Sequence, residues 1–89
     1  MLGVTMGSVK ARADFARTVA RAGLRRKDLA EDAGVSVRTV DALANPGAAG
    51  RGGRAREITA WKIAAAFGKK TGRTDEDAFA LLFEDAGED

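Results

Sequence analysis

The chain has 89 residues with no cysteine and no histidine, which excludes disulfides, zinc fingers, thiol nucleophiles and any catalytic triad or general base built on histidine. A hydrophobic share of 45% and a charged share of 31% are those of an ordinary globular chain, long enough for one domain around one modest core. The net charge of +2 hides an asymmetry: residues 1–70 carry fourteen basic and six acidic side chains, a balance of +8, whereas residues 71–89 carry one basic and seven acidic, a balance of −6. A basic body with an acidic end suits a polyanion binder, and equally a solvated surface of uneven charge.

Met1 to Gly7 has no cationic start and too short an apolar stretch for a secretory signal, so it reads as a flexible N-terminal segment of a cytoplasmic protein. No apolar run approaches the roughly 20 residues of a membrane helix. Alternation of apolar and polar residues is scarce and Ala-rich, straight-chain sequence dominates, so the expected fold is all-α, with five helices in residues 8–85. The first runs from about Ser8, as N-cap, to Ala22. Phe15, Val19 and Ala22 share its inner face, with Ala11 and Ala16 beside them. Gly23 ends it in a left-handed turn, and Leu24 folds back onto the core.

Two short helices follow, Arg26 to Ala33 and Val37 to Ala44, joined across Gly34. A helix-turn-helix needs a small residue where its helices cross, here Ala30, and a residue tolerant of positive φ in the turn, here Gly34. Leu29, Ala33, Val35, Val40 and Leu43 supply the shared apolar interface at the required offsets. Val35 completes a Schellman-type end, and Ser36 caps the next helix. Asn45-Pro46-Gly47 is a stop signal. Gly47 to Arg56, with four Gly, three Arg and no large apolar residue, reads as a mobile loop. It lacks the Gly-Lys-Ser/Thr ending and the preceding strand of a phosphate-binding P-loop. The fourth helix spans about Glu57 to Phe67, with Ile58, Trp61, Ala64, Ala65 and Phe67 on a wide apolar face and Gly68 as its end. The fifth starts at Thr74, where Thr74-x-x-Asp77 is a capping box with Asp for Glu. Its apolar face is Phe79, Leu82 and Phe83, and the acidic Ala86 to Asp89 frays. Trp61, Phe15, Phe67 and Phe79 are expected core; Phe83 is either core or a contact for self-association through the fifth helix, and Phe83 with Leu82 is the candidate surface for a protein partner.

The segment GLRRKDLAEDAGVSVRTVDAL resembles the helix-turn-helix of the lambda-repressor-like, Cro-type family, usually GLTQEELAEKAGVSRSTISRLE. The later WKIAAAFG is similar to that family's fourth-helix pattern, LLKIAKALG. The resemblance covers about residues 10–83. It implies a compact five-helix DNA-binding domain, often homodimeric, usually a transcriptional regulator of bacteria or phages; the excess of ten Arg over five Lys fits a GC-rich source of that kind. Arg25-Arg26 stand where the family has Thr-Gln, and the Gly/Arg stretch after Pro46 is longer than its usual connection.

The partner so implied is double-stranded DNA, with no cofactor, metal or small-molecule ligand. Ser36, Val37, Arg38, Asp41 and Ala42 form the expected base-reading set. Arg38 is placed for guanine O6/N7, Val37 for a thymine methyl, and Asp41 for cytosine N4 or as an orienting ion-pair partner of Arg38. Arg25, Arg26, Lys27, Thr39, Asn45, Arg51, Arg54 and Arg56 form the expected phosphate set. A homodimer would place half-sites about 34–36 Å apart. The rival readings are a protein-interaction module, such as an antitoxin or adaptor, and a DNA-binding accessory factor in recombination or replication. An enzyme is not expected.

Overall fold

The computed structural model describes residues 8–45 and 54–85. Among them the chain runs β1 (Ser8–Ala11), α1 (Phe15–Arg21), α2 (Arg26–Ala33), α3 (Val37–Ala44), β2 (Arg54–Arg56), α4 (Glu57–Thr71), α5 (Asp75–Leu82) and β3 (Phe83–Asp85). The fold is therefore mostly helical but not all-α. Its three strands form one antiparallel sheet in the order β2-β1-β3.

The sheet overturns two expectations. Ser8 does not cap the first helix, which begins at Phe15 behind Asp14. Ala11, Phe15 and Val19 do lie at helical spacing, but Ala11 reaches the core from a strand. Val9 and Ala11 turn inward and are buried, a two-residue alternation too short to stand out against the helical period. The strand partners are remote in sequence: Val9 pairs with Ala55 on one side and Asp85 on the other. Likewise Arg54–Arg56 is a strand rather than the end of a mobile loop. Half-buried Ala55 packs against the core, so a small side chain and ladder hydrogen bonds suffice where no large apolar anchor exists. Residues 47–53 of that expected loop, Met1 to Gly7 and Ala86 to Asp89 lie outside the described residues.

Phe15, Leu29, Val40, Ile63, Phe67, Leu82 and Phe83 are the large, fully buried side chains. Trp61 and Phe79 are only half-buried and stack on each other with ring centroids 4.1 Å apart. Phe83, a candidate dimer contact, is instead 2% exposed and meets Phe15 and Phe79 at centroid distances of 5.7 and 5.3 Å. Leu82 is also fully buried. Both belong to the core because α5 ends at Leu82 and the extended β3 turns Phe83 inward beside Ala11. Helix α4 packs chiefly on α5 and α2. At its far end Lys70 Nζ lies 2.9 Å from Asp32 Oδ2 on α2, and this hydrogen bond, with the Asp32 charge, raises the Lys70 pKa above its ordinary value.

Gly68 does not end α4, which continues to Thr71 and stops at the left-handed Gly72, φ 75°. Gly68 is needed instead for close approach: a Cβ there would sit 2.7 Å from the Arg73 carbonyl oxygen and 3.2 Å from that of Thr74. Alanine gains about 1 kcal/mol over glycine in a free helix interior, but backbone atoms cannot swing aside as a flexible side chain can. Gly68→Ala is therefore expected to destabilise the fold by about 1–2 kcal/mol net. Thermal unfolding followed by circular dichroism checks this, and an unchanged or raised Tm would contradict the crowding.

Candidate nucleic-acid interface

Helices α2 and α3 and the turn between them form where their residue types require it. Helix α2 ends at Gly34, φ 74°. The Gly34 amide donates to the Glu31 carbonyl at 3.1 Å and the Val35 amide to the Ala30 carbonyl at 3.0 Å, the two bonds of a Schellman end. Ser36 then caps α3: its Oγ accepts from the Thr39 amide at 3.2 Å and lies 3.0 Å from the Thr39 hydroxyl. Leu29, Ala30, Ala33, Val40 and Leu43 are buried between and beneath the two helices. Burial of Val40 and Leu43 sets the rotation of α3 about its axis. Val37, Arg38 and Asp41 are left exposed, and Val37, at 43%, is one of three large apolar residues so exposed among the described residues.

One flank of α3 borders an open groove of about 610 Å³. Ser36, Arg38, Thr39 and Ala42 line it from α3, Arg54 and Arg56 from β2, and Thr59 from α4. The strand thus brings two expected phosphate ligands beside the expected base-reading residues. On the other flank Arg26, in the first turn of α2, reaches Asp41, with Nη1 and Oδ1 3.4 Å apart. The ion-pair partner of Asp41 is therefore Arg26, not Arg38. Both side chains are about half exposed (45% and 54%), so the pair contributes at most about 1 kcal/mol and acts mainly on orientation. No side chain caps the α2 N-terminus, which leaves its first amides open to an anion, with Arg25 and Lys27 exposed alongside.

Not every expected residue joins this surface. Asn45 is exposed at the far end of α3 and does not line the groove. Arg51 lies outside the described residues. Thr59 of the groove was missed by sequence reasoning, because its place depends on how α4 returns beside α3. Asp75, Glu76 and Asp77 occupy the first turn of α5 behind Thr74, whose Oγ1 accepts from the Asp77 amide at 3.1 Å. Among the described residues no three carboxylates cluster as a metal ion would require, and no helix is long and apolar enough to cross a membrane. The chain matches no family model, no curated protein and no solved structure.

Proposed function

We propose that this protein binds double-stranded DNA in a sequence-dependent manner, with α3 in the major groove. The observation that carries the reading is the flanking of one exposed helix face by cations on both sides. Arg26 stands on the α2 flank, and Arg54 and Arg56 on the β2 flank. Phosphates border the major groove on both sides, so α3 can lie between two strands that these arginines hold. Arg38, exposed in the first turn of α3, is the reader of guanine O6/N7, and Val37 meets a thymine methyl. The resemblance to Cro-type regulators extends the reading to a small cytoplasmic transcriptional regulator of bacterial, phage or plasmid origin.

Selection from random duplexes tests both the binding and the reading. Enrichment of a guanine-containing site, bound more weakly as salt rises, is expected. Recovery of no enriched duplex would contradict sequence-dependent binding. Capture of a protein by the same surface, with no DNA bound, would favour the interaction-module reading.

Asp41 separates positioning from reading. Asp41→Asn releases Arg26 and removes a carboxylate that phosphates would face. Binding of all duplex sequences alike is expected to tighten a few-fold, matching the weak energy of a half-exposed pair. Titrations of the selected and a random duplex check this. A change confined to one base pair of the selected site would make Asp41 a base reader instead.

A further inference from the structure

Strand pairing creates a second basic surface beyond α3. Lys10 of β1 is directly opposite Arg54 of β2 and, on its other side, Glu84 of β3. Directly opposed residues share a sheet face, and Arg54 and Arg56 share it too, two residues apart. The opposite face carries Val9, Ala11 and Phe83, all buried, so this one is turned to solvent. Like charges directly opposite one another destabilise a strand pair, yet Lys10 on the central strand and Arg54 on an edge strand are so placed. Glu84 supplies a counter-charge: its Oε2 lies 3.9 Å from Lys10 Nζ, with both side chains about two-fifths exposed.

We infer that the solvent face of the sheet, Lys10 with Arg54 and Arg56, is a second phosphate-binding surface for the duplex that α3 reads, and that Glu84 competes with phosphate for Lys10. The inference rests on the proposed DNA binding and extends it to residues outside the helix-turn-helix. Continuity carries it: Arg54 and Arg56 line the groove beside α3, and Lys10 continues the same charge across the next strand. A bound phosphate relieves the repulsion between Lys10 and Arg54. The free protein instead holds Lys10 through a weak, half-solvated pair that DNA can displace. The ligand is the phosphodiester backbone, so this surface adds affinity and salt dependence without sequence preference.

The test compares Lys10→Thr, Arg54→Thr and Glu84→Gln with wild type in salt titrations against the selected and a random duplex; threonine keeps β-strand preference. Lys10→Thr and Arg54→Thr are each expected to reduce the slope of log K against log[salt] by about one, equally for both duplexes. Arg54→Thr should melt at or above the wild-type temperature, since it removes a like-charge neighbour. Glu84→Gln should tighten both duplexes a few-fold. If wild type binds the selected duplex and Arg38→Ala weakens it, but all three sheet variants keep the wild-type slope and affinity, the sheet surface is ruled out while the reading by α3 stands. If wild type binds no duplex, both fall together.

Discussion

Arg38→Ala is expected to weaken binding of the selected duplex by about 5- to 150-fold while changing random-duplex binding far less, and to relax preference at one base pair. The range corresponds to the ~1–3 kcal/mol of discrimination that a bidentate arginine–guanine contact supplies. The geometry behind it is the capped first turn of α3. Ser36 fixes where the helix starts, buried Val40 and Leu43 fix its rotation, and Arg38 is left exposed between Val37 and the β2 groove. Arg26 supplies the contrast. It lies in the first turn of α2, where the proposed complex has a phosphate, so Arg26→Ala should weaken all sequences alike and lower the salt slope by about one. Both residues are exposed, so both variants should keep stability within about 0.5 kcal/mol of wild type. Parallel titrations of the two duplexes measure this directly. Equal weakening of both duplexes by Arg38→Ala would make its role electrostatic.

The second large effect falls on the fold. Phe83→Ala is expected to destabilise the protein by about 3–5 kcal/mol, the usual range for deleting a buried aromatic. Phe83 is nearly inaccessible, closes the sheet against the core and touches both Phe15 and Phe79. Since Phe79 stacks on Trp61, the loss should also be visible in tryptophan fluorescence. Chemical denaturation monitored by that fluorescence gives the magnitude. A variant as stable as wild type would return Phe83 to the surface and reopen it as a contact between copies. Phe83→Asp would bury a charge in the same place and unfold the chain, and so cannot report on self-association.

The α2–turn–α3 pair was legible because its constraints are local. Gly34, Ser36 and the offsets of Leu29, Val40 and Leu43 state the turn, the cap and the helix rotation within one short segment, and α2 and α3 have the expected bounds. The sheet was not legible, because each strand is three or four residues long and is stabilised by partners distant in sequence. Ser8 to Ala11 sits ahead of a helical run whose spacing it extends, and Arg54 to Arg56 closes a Gly/Arg stretch that presents no apolar pattern. Asp41 was recognised as a residue that could orient an arginine. Its partner across the turn, Arg26, follows from the packing of α2 against α3, which the residues on either side of Asp41 do not reveal. Gly68 looked like a helix end because glycine there serves packing against the Arg73 carbonyl, a tertiary demand that its neighbours in sequence do not reveal.

The measurement closest to the central proposal replaces each guanine of the selected duplex in turn by 7-deazaguanine, which deletes one major-groove acceptor and leaves pairing, charge and the minor groove unchanged. One such replacement is expected to weaken wild-type binding several-fold and to leave the binding of Arg38→Ala unchanged, because the lost contact is then already absent. Wild-type binding that is indifferent to every replacement would contradict guanine reading by Arg38 in the major groove.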